Sequence, residues 1–235
     1  MNSPSPSQLP LDLASQPSHE RDDLVVSEAN RLAVAAVEAW PNWPHPVVLV
    51  VGPPGSGKTH LARIWADRAH ATELAPGAKA PVGGWSFAVL AEDIDRAGFD
   101  EQVLFAQLNV ARLGGGFVLA TARSRPDEAS VRTPDLLSRL RAATVLDLAA
   151  PDEALLTAVL MKLSADRQIA LDPRLASYAA VRMERSLAAA ADMVHRLDLA
   201  ALATRERFSR SLVRRILADM AAETGRRHER VVPAD

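Results

Sequence analysis

Eight consecutive residues, Gly52-Pro53-Pro54-Gly55-Ser56-Gly57-Lys58-Thr59, fill every fixed position of the phosphate-loop pattern G-x-x-x-x-G-K-[ST]. The residues on either side supply the context that this loop needs. Pro46 to Val51 is a continuous β-branched apolar run, which reads as a buried strand. His60 to Ala69 carries apolar residues at helical spacing. Strand, glycine loop and helix in that order let backbone N–H groups close around phosphate oxygens at the positive end of a helix. Lys58 is placed to reach the β- and γ-phosphates, and the Thr59 hydroxyl to bind Mg²⁺. The chain is therefore expected to bind a nucleotide.

Composition narrows the setting. The 235 residues are 48% hydrophobic, enough for one large or two small cores, and the net charge is only −2. That charge gives no global field for nucleic acid or membrane. The absence of cysteine excludes disulfides and Cys-ligated zinc and agrees with a cytoplasmic protein. No apolar run reaches the length of a membrane-spanning helix, and residues 1–16 lack the basic and apolar regions of a secretory signal. The chain has three lysines, and one of them is Lys58, where a compact point charge suits phosphate.

Four organisational units follow from the patterning. Residues 1–20, rich in Ser and Pro, are expected to be disordered in isolation. They contain Gln8-Leu9-Pro10-Leu11-Asp12-Leu13, whose alternating leucines suit an extended segment laid into an apolar groove. Residues 21–150 alternate strands with helices. Ser27 reads as the N-cap of a helix over 28–40, stopped by Pro41 and Pro44. The Leu24-Val25-Val26 run before it suits either a base cover or core packing. Further strands are expected at 85–91, 117–122 and 143–148, with helices at 100–113 and 134–141. Glu92 and Asp93 end the first of these strands, where a Mg²⁺-binding carboxylate is expected beside a phosphate loop. Thr121 stands near the end of the next. This alternation predicts a parallel three-layer α/β sheet with ligand at the carboxyl ends of its strands. Residues 151–222 read as helices only, a small second domain, and residues 223–235 as a charged, frayed tail.

The phosphate loop, acid-ended strand, polar-ended strand, helix with Ser138-Arg139-Leu140 and helical lid together resemble an AAA+ module. Gly57 to Leu61 (with His60 in Gly-Lys-Thr-His-Leu), the Val25-Val26…Asn30 segment and Arg182-Met183-Glu184-Arg185-Ser186-Leu187 resemble the DnaA initiator family. The likeness runs from about residue 20 to 220 and leaves no room for the initiator's DNA-reading helix-turn-helix. With the Gln8–Leu13 peptide added, the chain is similar to the Hda-type regulators of DnaA. The resemblance implies binding of ADP or ATP with Mg²⁺, with His60 among the nucleotide-binding residues and Val25, Val26 and Asn30 near the adenine. It implies that Thr121 senses the γ-phosphate or orients water, and that Arg185 contacts the nucleotide from the lid. It implies that Arg139 is an arginine finger acting on the ATP of DnaA. It also implies that Gln8, Leu9, Leu11 and Leu13 dock on the sliding clamp, the β subunit of the DNA polymerase, so that DNA is reached indirectly through it. No membrane partner is implied, and a homo-oligomer is compatible.

One departure bears on chemistry. Glu92-Asp93 stands where such enzymes carry Asp then Glu. A Glu in the first place can reach Mg²⁺ directly or through water, but an Asp in the second is a poor water activator. Weak or absent intrinsic ATPase activity is therefore expected, with DnaA's ATPase as the activated reaction. The alternative is a self-sufficient AAA+ ATPase acting in replication initiation or helicase loading. Direct duplex reading is not expected. The arginines near the C-terminus, Arg210, Arg214 and Arg215 among them, are diluted by acids such as Asp219 and Glu223, and aromatics are scarce.

Overall fold

A computed structural model describes residues 24–74, 77, 87–96, 100–125, 131–204 and 208–231. Five parallel strands form one sheet: β1 Val47–Val51, β2 Thr72–Glu73, β3 Ala88–Ala91, β4 Phe117–Ala122 and β5 Thr144–Asp147, in the order β2-β3-β4-β1-β5. β1 lies between β4 and β5, with Val47 opposite Val118 and Val48 opposite Thr144. All five of its residues are buried, which is why the sequence there is unbroken Val and Leu.

Alternate residues of β1 feed two cores, because successive side chains of a strand point to opposite faces. Val47, Leu49 and Val51 join Leu104 and Leu108 of α3 (Glu101–Val110) and Leu136 and Leu140 of α4 (Pro134–Ala142). Val48 and Val50 join Val34 and Val37 of α1 (Arg31–Glu38) and Leu61 and Trp65 of α2 (Lys58–Ala69). Trp65 stacks on Trp43 with ring centroids 5.3 Å apart, and Trp40 meets it edge-on. Asp100 caps α3 through the amides of Gln102 and Val103, and α3 runs on into one π turn, Ala111–Gly115. A third core belongs to the helices α5 (Glu153–Asp166), α6 (Pro173–Ala180), α7 (Leu187–Thr204) and α8 (Arg210–Val231), with Leu160, Met193 and Val213 at its centre. The predicted α/β fold with a helical lid is thus what the chain forms.

Three local expectations change. Ser27 does not cap α1, which begins only at Arg31. Its carbonyl instead accepts the Asn30 and Arg31 amides, while the Asn30 side chain closes the turn onto the Ser27 amide and the Val25 carbonyl. The side-chain amide of Asn30 satisfies two backbone groups at once, and this fixes the turn ahead of the helix. The segment after α2, to which no strand was assigned above, contributes the two-residue edge strand β2. The expected frayed tail begins as helix, since α8 continues through Gly225 to Val231. The Gln8–Leu13 peptide and most of residues 75–86 lie outside the described residues.

Gly116 sits where β4 leaves the π turn. Its φ is 142°, and a Cβ there would come within 2.1 Å of the Phe87 carbonyl oxygen, which accepts the Phe117 amide. Gly116→Ala is expected to destabilise the domain by about 2–3 kcal/mol, through backbone strain and a displaced β3–β4 edge. A urea unfolding midpoint equal to wild type would contradict this.

Candidate nucleotide site

The loop grows directly out of the central strand. The Gly52 amide donates to the Ala122 carbonyl at 3.2 Å, and a Cβ on Gly52 would lie 2.1 Å from the Leu148 carbonyl oxygen. Only glycine fits between the ends of the two neighbouring strands. Gly55 and Gly57 adopt positive φ of 75° and 99°. Gly57 is the N-cap of α2 and offers no capping side chain, so the first-turn amides are left for an anion. Pro53 and Pro54 are exposed, whereas the Ser56 hydroxyl is buried and has no hydrogen-bond partner. A glycine cradle with open amides and an orphaned hydroxyl fits a phosphate group.

Lys58 is 6% exposed, and its ammonium donates to the carbonyls of Gly52 at 2.7 Å and Pro53 at 2.9 Å. Burial lowers its pKa. The carboxylates of Asp93 and Asp95 oppose that shift, and Arg123 adds to it. Thr59 is exposed and His60 half-buried at the start of α2.

The acidic turn after β3 is tied to the end of β4. The buried Thr121 hydroxyl accepts the Asp93 amide at 2.8 Å, and the Thr121 carbonyl accepts the Ile94 amide. Asp95 accepts the Arg123 amide at 2.7 Å. Asp93, at φ 51°, pairs with Arg96. Glu92 points elsewhere. Its Oε2 is 3.0 Å from Arg63 of α2, which also lies 3.6 Å from Glu73 of β2, and its Oε1 is buried without a partner. A carboxylate already paired with a guanidinium is a poor fit for a Mg²⁺ ligand, and no cluster of three metal-binding side chains occurs among the described residues. The two carboxylates that act on Lys58 are Asp93 and Asp95.

The lid closes over the loop at one point. The Leu187 amide, at the start of α7, donates to the Gly55 carbonyl at 2.9 Å. A Cβ on Gly55 would lie 2.2 Å from the Ser186 hydroxyl, and one on Gly57 would lie 2.9 Å from a Leu187 methyl. Arg185 is therefore one residue from the loop contact, although its exposed guanidinium lies 3.6 Å from Glu153 of α5. Asn30 is buried, with Val25 half-buried and Val26 exposed beside it. Arg139 is not brought to the loop. It sits on α4 and donates through Nε to Asn109 Oδ1 at 3.1 Å.

Arg63, Asp95 and Ser186 also take part, although none of them has an individual role assigned from the sequence. Asp95 had a signal, being the third acid of one strand-end turn. Arg63 had none, because an arginine on an amphipathic helix reads as a solvated charge. A groove of about 290 Å³ bordered by Arg63, Asp67, His70 and Glu73 adjoins the edge strand and contains no predicted site residue.

No protein-family model matches the chain, and neither does any curated protein. Solved structures do. Domain III of the replication initiation protein DnaA from Thermotoga maritima superposes with a TM-score of 0.71 at 16% identity, over 87% of this chain and 97% of that one. AMPPCP-bound DnaA from Aquifex aeolicus gives 0.65 at 16% identity, over 79% of this chain and 66% of that one. The Holliday junction branch migration motor RuvB of Thermotoga maritima gives 0.64 at 18%, over 86% and 72%. The fold is the AAA+ fold. At these identities the likeness speaks for architecture alone.

In this AAA+ module the Gly55–Leu187 bond joins the lid to the loop. Gly55→Ala is expected to force Ser186 away, and hydrogen exchange at the Leu187 amide should then accelerate about tenfold or more, while Val194 in the lid core keeps its protection. Unchanged exchange at Leu187 would show that the lid is held by other contacts.

Proposed function

We propose that the protein is a replication-control adaptor that holds ADP or ATP in its own loop and promotes hydrolysis of the ATP bound to DnaA. In this reading the Gln8–Leu13 peptide docks the chain on the sliding clamp, and Arg139 enters the nucleotide site of DnaA. The observation that carries the reading is the separation of two capacities. The loop, Lys58 and the lid contact suit holding a nucleotide, while Glu92 is engaged by Arg63 and Asp93 by Arg96. Arg139, by contrast, lies on a different helix, and neither terminal nitrogen of its guanidinium has a partner among the described residues. The likeness to DnaA domain III and to AMPPCP-bound DnaA is one of architecture, and it accords with a nucleotide in the loop.

The chemistry follows from the charge that spreads over the γ-phosphoryl oxygens in the transition state. A guanidinium supplied from a second protein offers two parallel N–H donors to that charge without altering the ground state of the free partner. The bound nucleotide would supply the anion that satisfies Lys58, the α2 amides and Ser56. Lys58 would then exchange its two carbonyl acceptors for phosphate oxygens. Cytoplasmic location accords with this reading, and no described helix is long and apolar enough to cross a membrane.

The fold is shared with RuvB, a motor, and it accords equally with a second reading, a self-sufficient ATPase. That reading requires steady ATP turnover by the pure protein, lost in Lys58→Ala.

Two outcomes are expected. Arg139→Ala should lower stimulated hydrolysis of DnaA-bound ATP by about 10³-fold, with retention on immobilised clamp unchanged; stimulation at the wild-type rate would remove Arg139 from the mechanism. Replacing Gln8 and Leu11 together by Ala should abolish retention on the clamp, and equal retention of that double variant would sink the docking claim.

A further inference from the structure

α4 is gripped at both ends by side chains of α3. At its start, Glu101 accepts the Arg132 and Thr133 amides, each at 2.8 Å, together with the Thr133 hydroxyl. These bonds hold the Glu101 carboxyl below its ordinary pKa, with the Arg132 amide as the largest cause. At its far end, Asn109 accepts the Nε–H of Arg139. Glu101 and Asn109 are eight residues apart on one helix, which is about 12 Å along its axis and close to the length of α4. Leu136 and Leu140 fix the rotation of α4 by burying themselves under the sheet, at 1% and 0% exposure. Arg139 directly precedes Leu140, so its backbone is immobilised by the core. The remaining freedom of a long arginine is in its side chain, and the bond to Nε removes much of that freedom.

The chemistry of that bond is selective. A guanidinium has five N–H donors in a planar fork, and Nε is the one nearest the chain. An acceptor at Nε orients the plane and leaves the two terminal nitrogens, which form the fork, for another anion. Neither has a partner among the described residues. Asn109 suits this role because its oxygen meets Nε and not the terminal nitrogens. An acceptor facing the terminal nitrogens would instead pair with the fork and compete with phosphate.

We propose that Asn109 is a positioning residue that pre-orients the Arg139 guanidinium for a nucleotide phosphate presented by a partner protein. This rests on the reading of Arg139 as a finger acting in trans. Loss of the Nε acceptor leaves the arginine free to reach the partner but lowers the fraction of encounters in which its fork is aligned. A misalignment of this kind costs about tenfold to a hundredfold in rate.

The test uses the full-length chain with DNA-loaded clamp and ATP-bound DnaA, comparing wild type, Arg139→Ala, Asn109→Ala and Asn109→Asp. Asn109→Ala should lower the maximal stimulated rate at least tenfold with the half-saturating concentration unchanged. Asn109→Asp, which keeps an acceptor at Nε, should restore most of it. In the NMR spectrum the Arg139 Nε–Hε signal, identified by its disappearance in Arg139→Ala, should be protected from exchange in wild type and Asn109→Asp and unprotected in Asn109→Ala. If Arg139→Ala is inactive but Asn109→Ala stimulates like wild type, the finger stands and the positioning role is overturned. An Asn109→Asp variant no better than Asn109→Ala, or an unprotected wild-type Nε–Hε signal, also overturns it. An active Arg139→Ala overturns the finger itself, and the two failures are thereby told apart.

Discussion

The burial of β1 on both faces and both edges is the constraint on which the rest of the molecule depends. With a parallel neighbour on each edge and a core on each face, β1 is built of Val and Leu throughout. At its end the carbonyl of Leu148 on one side and that of Ala122 on the other leave space for a glycine only. The chain turns there, and α2 begins with its first amides uncapped. The nucleotide site is therefore a consequence of how the central strand terminates. Lys58 belongs to the same event, since it folds back onto the carbonyls of the residues that made the turn.

Two kinds of contact connect this loop to the rest of the protein, and they differ in character. The lid meets it through a backbone hydrogen bond and the close approach of Ser186 to a residue without a side chain. Such a contact is short and specific but small, which suits a part that answers to the occupant of the loop. The acidic turn meets it through charge and through Thr121, a side chain with no exposed surface. Thr121 thereby spans the gap between the end of β4 and the carboxylates that act on Lys58.

The helices on the other face of the sheet form a second mechanical unit. α3 and α4 run side by side in the same direction, joined by the apolar core beneath and by Glu101 and Asn109 above. The unit carries Arg139 on a rigid element, as the action proposed for it on an external phosphate requires. In the proposed reading, the arginine-paired Glu92 and the stiffly mounted Arg139 divide the work between holding one nucleotide and acting on another.

Much of this was legible in the sequence for a plain physical reason. The loop, β1, β4, α4 and the helical lid are local structures whose signals, glycines at fixed spacing and apolar periodicity, lie within a few residues of one another. The start of α1 was misread because Ser27 and Asn30 are both good turn formers, and which of them ends the turn depends on the Asn30 side chain reaching the Val25 carbonyl. The course of α8 through Gly225 was missed because glycine weakens a helix without forbidding it. What the sequence by itself determined is the kind of site: a phosphate loop at the end of a buried parallel strand, under a helical lid. What only the tertiary structure decided is which groups meet. Arg63 with Glu92, Asp95 with the Arg123 amide, Leu187 with Gly55 and Asn109 with Arg139 are pairs separated by about thirty residues or more. No periodicity or spacing encodes such pairs, because they exist only once the sheet has set the distances between strands and helices.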